Sequence, residues 1–221
     1  MSLGDAYRDL KYFLNRGYRK KNALEFVANH YTLGREERHL LARCVFSDSW
    51  IRAVSLKLLP ERALRGRLIG IDGFNVLITL ESLFEGRAIL CEDGLVRDLK
   101  LQRGYRLGPL TLKVIGTLAT FLEGAGVRGA VVIYDSPVSK SGEVAKLTRK
   151  ALEERSIPGE VRLSRAPDHE LKTFDVVATS DVGIIERVPY VVDIPSLAGE
   201  KLGLRAIPFL KLLENPEPLR F

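Results

Sequence analysis

Cysteine is nearly missing from this 221-residue sequence, and the two that occur, Cys44 and Cys91, stand in no metal-ligand spacing. That argues against a zinc site and suits reduced side chains of an intracellular protein. Histidine is scarce as well: His30 and His39 lie far from His169, so the chain offers no histidine cluster. No apolar run approaches the roughly 18 residues needed to span a bilayer. The stretch from Met1 to Asp9 lacks the apolar core of a signal peptide. We therefore expect a cytoplasmic protein with no membrane partner. Internal repeats and low-complexity segments are also missing.

What remains is an ordinary packing composition. Hydrophobic residues make up 46% of the chain, enough for one ordinary domain and a small second one. Charge is unevenly spread. Residues 1–66 hold 13 Lys and Arg against 7 Asp and Glu, whereas residues 67–221 balance 21 against 21. The whole net charge of +6 thus lies in the N-terminal third. Such asymmetry points to a polyanion, nucleic acid being the usual one. A solvated basic face without a partner fits equally well.

That N-terminal third reads as helical. Tyr7, Leu10 and Leu14 share one helical face, and Gly17 ends the segment. Arg19-Lys20-Lys21 leads into a second helix over roughly 22–31. Arg35-Glu36-Glu37 opens a third, with acids where the helix dipole favours them. Trp50, Ile51, Val54 and Leu58 mark a fourth over 49–58. A helix-turn-helix reader is conceivable here, but backbone binding or domain packing is favoured. In the backbone-binding reading Arg16, Arg19, Lys20 and Lys21 contact phosphates and Tyr18 stacks on a base.

Beyond residue 66 the pattern changes to strands alternating with helices. Leu68 to Ile71 is a short apolar run that ends on Asp72-Gly73, as a strand covered on both faces would. Ala130 to Tyr134 ends on Asp135, and Phe174 to Ser180 on Asp181. A weaker strand, 160–164, reaches Asp168 through a short loop. Residues 87–99 read as a hairpin about Gly94, and 204–213 as a last helix. Gly124-Ala125-Gly126-Val127-Arg128-Gly129 spells the dinucleotide fingerprint but follows a helix and precedes a strand, so it is discarded. The fold class expected is α/β: a mainly parallel sheet flanked by helices in three layers, with a small all-α module at residues 1–66.

In a parallel sheet the carboxyl ends of the strands share one edge, which brings Asp72, Asp135 and Asp181 together. Gathered carboxylates repel one another, and a divalent cation removes the conflict; Mg²⁺ or Mn²⁺ suits oxygen ligands. Such an ion would polarise a phosphate and activate water for phosphodiester hydrolysis. Each residue also has a plainer use. Asp135 precedes Ser136-Pro137 as turn residues do, Asp168 suits a helix cap, and Asn75 either hydrogen-bonds Asp72 or caps a helix.

Ile71-Asp72-Gly73-Phe74-Asn75-Val76-Leu77, together with Val177-Ala178-Thr179-Ser180-Asp181, resembles the PIN-like nucleases, especially their NYN-type branch. The resemblance covers residues 67–195. It implies that Asp72 and Asp181 bind Mg²⁺ or Mn²⁺, that Asp135 matches the intermediate acid, and that Asp168 is an approximate counterpart of a further acid at a helix start. The pattern Leu14-Asn15-Arg16-Gly17-Tyr18, Asn29-His30-Tyr31 and Glu37-Arg38 resembles a helical module of unknown function, found mainly in archaeal proteins ahead of such a domain. Two departures stand out: the hairpin at 87–99 reads as an insertion, and the interval from Asp168 to Asp181 is short. The expected function is a metal-dependent endoribonuclease with Asp72, Asp135, Asp181 and Asn75 at its centre. The alternatives are a non-catalytic nucleic-acid-binding protein on a degenerate nuclease fold and a metal-dependent phosphatase. Position 74 is Phe where haloacid-dehalogenase-like phosphatases carry a second Asp, which lowers the last.

Overall fold

The computed structural model describes residues 2–99, 105 and 107–214. The tail expected at 216–221 lies outside them. Four helices come first: α1 (Leu3–Asn15), α2 (Lys20–His30), α3 (Arg35–Cys44) and α4 (Asp48–Lys57). Local chemistry starts them. Ser2 and Asp5 satisfy each other's backbone amides in a capping box on α1, and Ser47 Oγ accepts the Trp50 N–H on α4.

A 3-10 turn at Glu61–Leu64 leads into the α/β region. Its elements are β1 (Leu68–Asp72), α5 (Gly73–Phe84), β2 (Ile89–Leu90), β3 (Val96–Arg97), α6 (Thr111–Ala125), β4 (Gly129–Asp135), α7 (Ser141–Glu154) and β5 (Gly159–Ser164). There follow α8 (Pro167–Leu171), β6 (Val176–Ala178), α9 (Val182–Ile185), β7 (Tyr190–Val192), α10 (Ile194–Lys201), β8 (Ile207–Pro208) and α11 (Phe209–Glu214).

Five strands pair in parallel in the order β5-β4-β1-β6-β7. Side chains alternate across this sheet. Ile69, Ile71, Ala130, Val132 and Tyr134 pack into one cluster with α5, α6, α7 and α10. Val131, Ile133, Val177 and Val191 face the other way, against Val54 of α4, Leu171 of α8 and Ile184 of α9. Helices thus cover both faces of a parallel sheet, the α/β architecture the sequence pattern indicates. Burying each Ile of β1 contributes about 1.5–3 kcal/mol. Gly73 is required by proximity rather than by turn geometry: a Cβ there would sit 2.4 Å from the Tyr134 ring. Gly126 does adopt the left-handed conformation, φ 63°, and terminates α6 as a helix-ending glycine does.

A second, small sheet has the order β3-β2-β8. The antiparallel β2–β3 pair is the hairpin expected over 87–99. The last segment differs from expectation, since Ile207 and Pro208 extend beside β2 before α11 begins. Pairing with the hairpin overrides a helical pattern that is sound only from Phe209 onward. Helices α1 to α3 do not close a core of their own: Leu10, Val27 and Leu41 share one cluster with Ile89, Cys91 and Leu99 of the hairpin region and with Phe209 and Leu212 of α11. Among the described residues no helix is long and apolar enough to cross a membrane.

Candidate active site at the switch point of the sheet

From β1 the chain moves outward to β4 and β5, then crosses back to β6 on the opposite side of β1. The crevice beyond the carboxyl ends of β1 and β6 is therefore the switch point of the sheet, where open α/β folds hold ligands. Asp72 is the last residue of β1, and Thr179-Ser180-Asp181 follows β6 directly.

Thr179 joins the two acids. Its Oγ1 donates to Asp72 Oδ2 at 2.8 Å and accepts the Asp181 N–H at 3.1 Å. Asp72 occupies the N-cap position of α5 without a close capping bond, though the Asn75 N–H in the first turn is near enough to steady its carboxylate. Burial drives the Asp72 pKa up to about 7; the Thr179 bond opposes that rise, and the charges of Asp181 and Asp168 add to it. Asp181 itself is exposed and accepts the Ile184 N–H through Oδ1 at 3.1 Å, capping α9.

The remaining predicted site residues fall as follows. Asn75 reaches this edge: its backbone N–H steadies Asp72, while its side chain turns to the neighbouring loop. Its Oδ1 accepts from Ser180 N at 2.9 Å and Ser180 Oγ at 3.2 Å, which ties α5 to the loop carrying Asp181. Asp168 lies exposed in the first turn of α8, close enough to act on Asp72 electrostatically. Asp135 stands further out. Asp72 is in register with Ile133, two residues earlier on β4, and Asp135 pairs toward Ser164 of β5. The geometry therefore gathers Asp72, Asp181 and, at the rim, Asp168, while Asp135 is set aside. Among the described residues no three His, Cys, Asp or Glu side chains are grouped closely enough to hold a metal ion.

Two residues essential to this geometry escape a reading of the sequence. Thr179 was visible only as a hydroxyl preceding Asp181, with nothing to show that it bridges two acids. Arg97 lies in the expected hairpin, where nothing local sets it apart. Its side chain is buried, paired with Asp93 through bonds of 2.6 and 2.7 Å, and its Nε donates to the Ser180 carbonyl at 3.2 Å. Burial disfavours the guanidinium charge, but the Asp93 carboxylate outweighs it and the Arg97 pKa is raised. Asp93 also accepts from Trp50 Nε1 at 3.1 Å, so α4 and the hairpin are fastened to the loop behind Asp181.

The basic residues proposed for nucleic acid divide. Arg16, Arg19 and Lys21 are exposed, and Arg16 lies 4.3 Å over the Tyr12 ring. Tyr18, 57% exposed, meets Phe13 edge-on at 5.2 Å. Lys20 departs from expectation. It turns inward over the Phe46 ring at 3.8 Å, and burial with Arg97 nearby lowers its pKa to about 8. Lys20 is therefore a seam residue rather than a phosphate contact. The same surface gains rings that the sequence did not single out: Tyr12, 55% exposed, and Phe26, 62% exposed and stacked parallel to His30. Phe26 could have been noticed, since it sits on the solvent side of α2.

Fold and site together define a three-layer parallel α/β protein with an acidic pair at its switch point and a basic, aromatic helical face. The chain belongs to the family described as a domain of unknown function, DUF5616, whose model matches residues 61–197. Residues 2–57 match a second model, described as a protein of unknown function, DUF434. An uncharacterized protein of Methanocaldococcus jannaschii is 44% identical over 206 residues, which span 91% of this chain and 99% of that protein.

Proposed function

We propose that this protein is a cytoplasmic, PIN-like ribonuclease that hydrolyses phosphodiester bonds with Mg²⁺ or Mn²⁺ at the switch point of its sheet. One observation carries the reading: Asp72 and Asp181, from the two strands that flank the crevice, are linked through Thr179, and Asp72 is held at a pKa of about 7. A half-buried carboxylate with negative neighbours is the condition a divalent cation relieves. The donor set fits the ion in a particular way. Three acids do not gather around one point among the described residues. Mg²⁺, however, is commonly held by one or two carboxylates and fills its other positions with water and phosphate oxygens. Asp72 and Asp181 would be those two, with Asp168 at the rim.

The ion, when bound, would supply the charge that polarises a phosphate and favours attack by water. The chain's own residues would do the positioning. Thr179 fixes one oxygen of Asp72, and the Asn75 N–H helps hold the carboxylate toward the crevice where the ion would sit. Asn75 and Arg97 hold Ser180 from either side, which sets the direction of Asp181. Arg16, Arg19 and Lys21 would take phosphates of a single strand, with Tyr12, Tyr18 and Phe26 as stacking surfaces. The test is cleavage of single-stranded RNA in Mn²⁺. Wild type should cleave and Asp72→Asn should not, while both stay folded; equal cleavage by the two would overturn the reading.

A second reading, non-catalytic nucleic-acid binding on the same fold, is favoured by one feature: Asp181 already spends an oxygen on capping α9. It predicts salt-sensitive RNA binding, weakened by Arg19→Glu/Lys21→Glu, with no cleavage in Mn²⁺. A panel of phosphate monoesters run beside RNA separates both from a phosphatase.

A further inference from the structure

We propose that Cys44 and Cys91 are an oxidation site and form an intramolecular disulfide that fastens the N-terminal helices to the β2–β3 hairpin. The two residues are 47 positions apart in sequence, yet their Sγ atoms lie 2.8 Å from each other. Even carbon atoms, which are smaller than sulfur, settle at about 3.5–4.0 Å when not bonded. Both side chains are buried and unpaired by any disulfide. Cys44 ends α3 and Cys91 follows β2, so the two sulfurs face each other across the seam between the helices and the hairpin.

The seam holds the pair in place from both sides. Glu92 N donates to the Cys44 carbonyl at 3.2 Å. The Glu92 carboxylate accepts from Phe46 N at 2.9 Å and from Tyr7 Oη at 2.6 Å. Closure therefore needs little movement of either backbone. Metal capture is not the use of this pair, since no third Cys, His, Asp or Glu joins it in a ligand group among the described residues.

Charge around the pair favours the exchange chemistry. Burial opposes a thiolate at Cys91, but hydrogen bonding with Cys44 and the Arg97 guanidinium outweigh it and lower its pKa, whereas burial pushes Cys44 up. Thiolate is the attacking form in thiol–disulfide exchange. Because both side chains are closed off from solvent in the folded chain, exchange takes place as the chain folds: the Cys91 thiolate attacks a small-molecule disulfide, forms a mixed disulfide and releases one thiol. Cys44 Sγ then gives up its proton, attacks Cys91 Sγ and expels the second thiol. Two protein thiols are oxidised to one S–S bond, and the exogenous disulfide is reduced to two thiols, which take up the two protons and two electrons.

The test refolds the full chain in a buffer of oxidised and reduced glutathione, then denatures it without reductant and adds an alkylating agent. The expected product carries no alkyl group, has lost about 2 Da relative to the reduced chain, and yields one peptide pair joined through Cys44 and Cys91. Its melting temperature should stand roughly 10 °C above that of the reduced protein, because the link closes a long loop. Two alkylated cysteines, a glutathione adduct persisting on either one, or a crosslink that leaves the melting temperature unchanged would each overturn the proposal. The wild-type chain carries these measurements, so they do not depend on whether Cys44→Ser or Cys91→Ser folds.

Discussion

Arg97 and Asp72 both bond to the residues after β6, and both are charged groups taken largely out of water. Arg97 is matched: Asp93 grips it with two bonds, Phe46 lies 4.9 Å beneath its guanidinium, and the Ser180 carbonyl takes its Nε proton. Asp72 is unmatched. It has one hydroxyl from Thr179, the weaker help of the Asn75 N–H, two negative neighbours, and among the described residues no Lys or Arg paired with it. A buried ion pair gains geometry at little net energy, whereas a buried charge without a counterion costs several kcal/mol or takes up a proton. The seam around Arg97 is built to hold parts of the chain together. Asp72 carries a charge that a proton or an added cation would relieve, the feature on which the proposed metal site rests.

The contrast breaks most visibly at Arg97. Replacing it with Met strips the counterion from Asp93 and should destabilise the protein by about 3–5 kcal/mol, measured by urea denaturation. Arg97→Met/Asp93→Leu should recover most of that loss, since removing both charges removes the penalty too. If the double variant is as unstable as the single one, the pair is not the self-contained structural unit described.

Asp72 should respond with the opposite sign. Its folded pKa of about 7 lies above the ordinary value of 3.8, so between those limits the folded chain keeps a proton that the unfolded chain has lost. Stability therefore falls as pH rises from about 4 to 7 and stays reduced above that. Asp193, raised to about 6 by burial, contributes in the same sense. Asp72→Asn should flatten part of this slope and, in the presence of EDTA, raise stability at pH 8 by about 2–4 kcal/mol. The same change should reduce Mn²⁺-dependent RNA cleavage by at least about 10²-fold. A destabilised Asp72→Asn would mean that the acid is structural, like Asp93.

Thr179 stands between the two cases, and its effect should be intermediate. Thr179→Val removes the donor to Asp72 and leaves the Asp181 N–H without its acceptor, at a cost of about 1–3 kcal/mol. Thermal stabilisation by Mn²⁺, followed against pH, should shift to more alkaline pH because Asp72 then holds its proton more tightly. An unshifted profile would separate Asp72 from the ion.

How much of this was legible in the sequence follows from how far each signal reaches. Leu68 to Ile71 and Ala130 to Tyr134 are short apolar runs that end on turn residues, as covered parallel strands do, so the fold and the edge carrying Asp72 and Asp181 could be read from local pattern. Asp135 stands off from Asp72 because β4 runs two residues past β1, an offset that local pattern does not show. Arg97, Lys20 and the Cys44–Cys91 contact depend on how the hairpin docks against α1 to α4. Nothing in local periodicity reports a contact between segments that far apart. Thr179 stands out in the sequence only by its neighbours, because a hydroxyl's partner is set by the register between β1 and β6, which only the folded sheet supplies.

The smallest effects should come from the exposed helical face, where Lys20 and Lys21 offer an internal control. Both would count equally as phosphate contacts by sequence, yet Lys20 is turned over Phe46 while Lys21 is in solvent. If RNA binds this face, Lys21→Gln should lower the slope of log K against log salt by about 0.7, the value for one phosphate of a single strand. Lys20→Gln should leave the slope unchanged. Phe26→Ala should weaken binding by about 1 kcal/mol, roughly fivefold, without altering the slope, because a stacked base is lost and not a phosphate contact. Equal slopes for Lys20→Gln and Lys21→Gln would mean that the inward turn of Lys20 does not decide which cations meet the polyanion.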